Sequence, residues 1–141
     1  VIEDLNIKRE IYLRLEAVRK KGSIVSSNTS TIPLAQLTAD LPLSFSQDFA
    51  ITHFFNPPRY MRLLELVAGP QTGKEVVSTL ENFCDRFLGK AVVICKDTPG
   101  FIANRIGILW KECAVRFAIE AELTVEEADS VNDNIFSCRY H

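Results

Sequence analysis

Apolar and polar positions along this chain alternate between two periods, and each change of period marks a new element. Ile7, Ile11, Leu15 and Val18 recur every three or four residues, which places them on one helical face, with Asp4 or Asn6 able to cap it and Gly22 to stop it. The opening "VIEDLNIKRE" reads as the end of a strand running into that helix. "SIVSS" reads as a short strand, and "NTSTIPLAQLTADL" as a polar turn and a short helix with Pro33 in its first turn, where a missing N–H costs nothing. "DFAITHFF" and "MRLLELV" read as two strands joined by "NPPRY", because a proline pair suits a connection and not a ladder interior. "GKEVVSTLENFCDRFLGK" is amphipathic through Val76, Val77, Leu80, Phe83, Cys84 and Phe87 and stops at Gly89. "AVVIC" is a further strand. A long helix from residue 101 to about 123 carries Ile102, Ile106, Leu109, Trp110, Cys113 and Phe117 on one broad stripe, and Thr124 with Glu127 forms the capping box of one more short helix.

Four or five strands alternating with helices predict an α/β sheet, and the change to helix alone near Asp97 is the one internal boundary the pattern offers. No GxGxxG occurs. "GPQTGKE", from Gly69, is one residue short of a phosphate-loop spacing and has Glu75 where a metal-binding hydroxyl belongs, so it reads as a loop and a helix start.

A chain of 141 residues, 47% hydrophobic with a formal net charge of -2, can bury one core and is too balanced in charge to suggest a nucleic-acid or acidic-membrane partner. It contains no run of the roughly 18 apolar residues a membrane helix needs and no basic-then-apolar leader, so no membrane partner is expected. Cys84, Cys95, Cys113 and Cys138 form no CxxC pair and read as reduced thiols behaving as small hydrophobes, which favours a reducing compartment. Cys138 and His141 could be taken for a metal pair, but two ligands near a terminus make a weak site, and no metal is expected.

The chemistry concentrates at His53 and Glu65. If their two strands pair as an antiparallel hairpin centred near Arg59, these residues face each other directly, with Cβ atoms ~5 Å apart. A carboxylate beside an imidazole fixes the ring's tautomer through one nitrogen and leaves the other free to take a proton from a hydroxyl. The pairing also explains an acid among Leu63, Leu64, Leu66 and Val67, since a carboxylate buried alone has to be neutralised or find a partner. Spacing alone favours a surface glutamate on a half-exposed strand beside an unrelated histidine.

Three stretches, "SSNTSTIPLAQL", "HFFNPPRYMRLLELV" and "KDTPGFIANRIG", follow one another in an order and spacing that resembles the L-3-hydroxyacyl-CoA dehydrogenases, the NAD-dependent enzymes of fatty-acid β-oxidation. The resemblance runs from Val1 to about Asp129, and "FFNPPRYMRLLELVAGP" looks closest to the dehydrogenase module of multifunctional β-oxidation proteins. It implies an α/β fold: residues 1–97 as the C-terminal part of a doubly wound Rossmann-type NAD-binding domain, and 98–141 as the start of an all-helical domain that helps bind acyl-CoA and dimerises. His53 would be the general base for the 3-hydroxyl and Glu65 its orienting carboxylate. Ser30 would lie between the nicotinamide and the substrate's oxygen, and Asn104 would steady the substrate through its amide. Val1, Ile2, Glu3, Lys8 and Asn56 would serve the cofactor. Taken alone, Ser30 and Asn56 are ordinary turn residues, Glu3 and Lys8 a solvated charge pair, and Asn104 a polar residue inside a helix.

The family pattern is incomplete here. The first βαβ unit, with its pyrophosphate-cradling glycines and the acid that reads the adenosine ribose, has no counterpart in this sequence, and "NDNIFSCRYH" departs from the way relatives continue. Many relatives also carry Pro or a small residue near Leu109. The expectation is therefore a fragment with impaired NAD binding and uncovered apolar faces, which a homodimer, in one form exchanging its C-terminal helix, would bury. The alternatives are an oligomerising remnant without turnover and a relative that oxidises another hydroxyacid. The family and the thiols favour bacterial cytoplasm, with an organelle matrix as the other location.

Overall fold

The structure, a computed structural model, describes residues 2–136; Val1, Cys138 and His141, each named above, lie outside the described residues. The elements run α1 (Leu5–Val18), β1 (Val25–Ser27), α2 (Leu34–Thr38), α3 (Leu43–Gln47), β2 (Phe49–Phe54), β3 (Leu63–Ala68), α4 (Lys74–Arg86), β4 (Ala91–Cys95), α5 (Ala103–Glu120) and α6 (Val125–Phe136). They divide into two compact units, the first ending at Ile102 and the second beginning at Ala103.

In the first unit the strands lie in the order β1-β2-β3-β4. β1 runs parallel to β2 and β4 parallel to β3, while β2 and β3 form the antiparallel hairpin. Successive side chains of a strand point to opposite faces, and both faces are covered, which makes the hairpin strands almost wholly buried. On one face Phe49, Ile51, Val67 and Cys95 pack with Tyr12 of α1, Leu34 and Leu37 of α2, Phe45 of α3 and Phe101. On the other, Ala50, Leu64 and Leu66 pack with Val76 and Cys84 of α4. Helices on both faces of the sheet are what a doubly wound α/β fold requires.

α1 begins where the carboxylate of Asp4 accepts the Ile7 N–H at 2.9 Å. Its buried face differs from the expected one: Lys8 and Tyr12 are inside, Leu5, Ile11 and Leu15 pack partly against the core, and Val18 is 81% exposed. Two polar anchors turn the helix this way, an ion pair at Lys8 and a hydrogen bond from the Tyr12 hydroxyl to Ser27 Oγ at 2.8 Å. α3 was not announced by the periodicity, since a helix of five residues is too short to show a period. It supplies Phe45, which stacks on Phe49 with centroids 5.4 Å apart and carries the Arg19 guanidinium over its outer side.

The left-handed Gly89 (φ 64) ends α4 and allows Lys90 N–H to reach the Cys84 carbonyl at 2.9 Å. Lys90 is itself buried. Its ammonium donates to the carbonyl oxygens of Pro58 and Met61, which fastens the connection between β2 and β3 to the start of β4.

In the second unit α5 is followed by a left-handed Glu122 (φ 54) and by the capping box expected from the sequence: Thr124 N–H donates to Glu127 Oε2 at 2.9 Å, and Glu127 N–H to Thr124 Oγ1 at 3.2 Å. Trp110, Phe117, Leu123 and Val131 line an open apolar groove between α5 and α6. No helix among the described residues is long and apolar enough to cross a membrane, and no three potential ligands there converge on a metal position.

Candidate active site

The hairpin register pairs His53 of β2 with Glu65 of β3. Both side chains fall on the same sheet face as Ile51 and Val67, one pair further along. His53 Nδ1 lies 2.8 Å from Glu65 Oε2, and the two residues are 6% and 1% exposed. The other carboxylate oxygen, Oε1, accepts the Ile102 N–H at 2.9 Å. An ionised carboxylate only accepts, so opposite a charged Glu65 it is Nδ1 that carries the ring proton and Nε2 that holds the lone pair. Nε2 has no hydrogen-bond partner among the described residues, yet no buried side-chain nitrogen or oxygen there goes unpaired, so Nε2 reaches solvent.

Aromatic rings frame the imidazole. Phe55 meets it edge-on at 4.6 Å between centroids, and Phe101 lies at 5.5 Å. Cys95 is buried on the same face, and burial first, then the neighbouring Glu65 carboxylate, pushes its thiol up to about 11. Past Phe54 the chain leaves the strand through Phe55 and an exposed Asn56, whose bond to Pro57 is cis.

A second cluster forms at the carboxyl end of β1, where open α/β sheets bind their ligands. The Glu3 carboxylate holds the loop after β1: Oε1 accepts from the Thr29 hydroxyl, from Ser30 N–H at 3.1 Å and from the Thr31 hydroxyl at 3.3 Å. Oε2 pairs with the Lys8 ammonium at 3.2 Å. Burial alone would raise the Glu3 carboxyl, but the hydrogen bonds from Thr29, Lys8 and Ser30 outweigh it and hold the group at about 2. The loop is tied to β2 as well, through Phe54 N–H donating to Asn28 Oδ1 at 2.8 Å.

The structure thus brings together His53 with Glu65, and Glu3 with Lys8 and Ser30. Glu3 and Lys8 are not a solvated pair, since the Lys8 side chain is 5% exposed. Ile2 and Asn56 are exposed, and Asn104 stands half-buried in the first turn of α5, in the second unit. Sequence reasoning missed Thr29, Cys95, Phe101 and the Ile102 N–H. Of these only the turn at Phe101 carries a local signal, the Pro99–Gly100 pair before it.

The chemistry of these donors fits the nicotinamide-side part of NAD. The Glu3 side chain remains 36% exposed, and the half-buried Ser30 can both donate and accept. A glycine-rich pyrophosphate cradle is not among the residues of this sequence.

Residues 1–98 match the family described as "3-hydroxyacyl-CoA dehydrogenase, NAD binding domain". The chain is 44% identical over 131 residues to a putative fatty acid oxidation complex trifunctional enzyme of Rickettsia felis, covering 93% of this chain and 18% of that protein. It is 37% identical to the mitochondrial hydroxyacyl-coenzyme A dehydrogenase of Mus musculus, covering 92% of this chain and 40% of the enzyme. It superposes on the crystal structure of 3-hydroxybutyryl-CoA dehydrogenase from Escherichia coli with a TM-score of 0.77 and 34% identity, over 88% of this chain and 25% of that one. The chain therefore spans less than half the length of these relatives. By its match, its sheet and its helices, the chain belongs to the 3-hydroxyacyl-CoA dehydrogenase family, with residues 1–98 forming part of the NAD-binding domain of these oxidoreductases.

Proposed function

We propose that this chain carries the alcohol-activating centre for NAD-dependent oxidation of L-3-hydroxyacyl-CoA to 3-ketoacyl-CoA in fatty-acid β-oxidation. The observation that supports it most is the buried His53–Glu65 pair, closed at 2.8 Å on one side of the ring and open at Nε2 on the other. In this reading Nε2 takes the proton of the 3-hydroxyl as the C3–H bond breaks, and returns it in the reverse direction. Glu65 stabilises the imidazolium that forms. NAD, when bound, supplies the acceptor for the hydride. Ser30 contributes its hydroxyl near the reacting oxygen, the Asn104 amide steadies the substrate, and Glu3, Lys8 and Asn56, with Val1 and Ile2, serve the cofactor.

Residues 1–97 are then the second half of a dinucleotide domain and 98–141 the start of a helical one. Without a pyrophosphate cradle, this chain alone binds NAD weakly. Exposed Leu109 and Phe117 of α5, with Val125 of α6, favour self-association as a homodimer, in one form by exchange of the C-terminal helix; sedimentation of a dilute sample tests this, a stable monomer counting against it. Bacterial cytoplasm is the proposed location, with an organelle matrix as the other setting, consistent with bacterial and mitochondrial relatives.

The decisive assay follows NADH formation by the full-length protein that contains this chain, from NAD with L-3-hydroxybutyryl-CoA or free 3-hydroxybutyrate. Turnover of the thioester, reduced ~10²–10⁴-fold by His53→Gln, is the expected result. Preference for the free acid would make the protein a different hydroxyacid dehydrogenase. No turnover together with no saturable NADH binding would make it a non-catalytic relative.

A further inference from the structure

The segment between β4 and α5 folds back sharply. Phe101 N–H returns to the Thr98 carbonyl at 2.9 Å, with Pro99 and Gly100 (φ 75) as the two inner residues. Proline second and a positive φ third are what a type II turn requires. The backbone then stays left-handed for one more residue, Phe101 itself, at φ 46. A bulky side chain disfavours that conformation, which persists where its surroundings over-determine it. Both consequences of the distortion fall on the site. The Phe101 ring, 3% exposed, lies 5.5 Å from the His53 ring at an interplanar angle of 58°, and the next peptide points its N–H at Glu65 Oε1 from 2.9 Å.

We propose that Phe101 is a positioning residue for the His53–Glu65 pair: its left-handed backbone aims the Ile102 N–H at the carboxylate while its ring braces the imidazole. A carboxylate free to rotate offers either oxygen to Nδ1. Tying Oε1 to a backbone donor leaves Oε2 alone facing the ring, and packing from Phe55 and Phe101 opposes the ring flip that would exchange carbon for nitrogen at that position. Together these restrict His53 to the tautomer with its lone pair on Nε2. The inference rests on the proposed function for the use made of that lone pair, but its readout does not depend on turnover.

The test is nuclear magnetic resonance of the chain with isotope-labelled imidazole nitrogens, the His53 signals being identified by their loss in His53→Gln. The wild-type chain is expected to show one tautomer at His53, protonated at Nδ1. Phe101→Gly, which frees the backbone and removes the ring, should average the two nitrogens and lose the Nδ1–H proton signal, and Phe101→Leu, which refills the space, should recover the single tautomer. A folded Phe101→Gly with the wild-type imidazole signature and merely a lower Tm would overturn the proposal. Should Phe101→Gly fail to fold, Ile102 amide exchange decides: Glu65→Gln, which keeps the oxygen and removes the charge, should speed it about tenfold, and unchanged exchange would overturn the proposal. A chain that passes these tests yet forms no NADH sinks the functional reading and leaves the positioning role standing.

Discussion

His53 and Glu65 face each other across the hairpin with Nδ1 2.8 Å from Oε2, a polar contact at the edge of a largely apolar sheet face. The carboxylate also receives the Ile102 N–H. Replacing Glu65 by alanine would leave the buried His53 Nδ1 and the part-buried Ile102 N–H without their acceptor, at ~1–3 kcal/mol for the buried one. Glu65→Ala is expected to lower the urea midpoint accordingly, and Glu65→Gln, which keeps an acceptor oxygen, to lower it less. Equal midpoints for the two variants would count against the two-donor arrangement.

The Glu3 carboxyl is held at about 2, below the 4.5 of an unperturbed glutamate. A depressed carboxyl stabilises the folded chain fully above the unfolded value and loses that contribution as pH falls through the folded one. The grip of Glu3 on the loop at 29–31 should therefore weaken between about pH 4.5 and pH 2, and Glu3→Gln should flatten that part of the stability profile. Thermal melts across this range, wild type against variant, check it; parallel profiles would refute it.

Gly69 sits where a Cβ would come within 2.4 Å of Leu34 Cδ2, the tip of a side chain that is 2% exposed. Gly69→Ala should cost ~1–3 kcal/mol by overpacking, read from denaturant unfolding, and Leu34→Ala combined with it should recover part of the Gly69→Ala loss.

The two carboxylate oxygens of Asp97 accept the N–H groups of Leu34 and Ala35, at 2.8 and 3.0 Å. They take the place of a cap that Pro33 cannot give α2. Asp97→Ala should cost ~0.5–2 kcal/mol of unfolding free energy, and Asp97→Asn less.

The four strands of the sheet and the hairpin register are legible from alternation and the proline-rich return, whereas Ile2 to Asp4, expected as the end of a strand, belong to none. The face of α1 was not legible. Apolar periodicity points to Ile7 and Val18, whereas the structure buries Lys8, and what makes Lys8 burial tolerable is Glu3, outside the helix. The sequence pattern starts the long helix at Phe101, whereas the structure starts it at Ala103. The left-handed backbone of Phe101 defies local propensity and is held by its packing into the core around Phe49 and Ile51, which no short window of sequence displays. Asp97 marks a change of pattern in the sequence; its hydrogen bonds span 63 and 62 residues and belong to the fold.

Neighbouring positions on a strand look in opposite directions, so the pairing of imidazole and carboxylate is inherited as a count as much as a choice of residues. Removing a single peptide unit from within Phe49–Phe54 would deliver the ring to the α4 layer and strand the acid on the far side of the sheet. Length can drift in the return at residues 55–62, where nothing alternates. Inside the strands a lineage can exchange aliphatic neighbours, but it can gain or lose residues only two at a time without dismantling the centre.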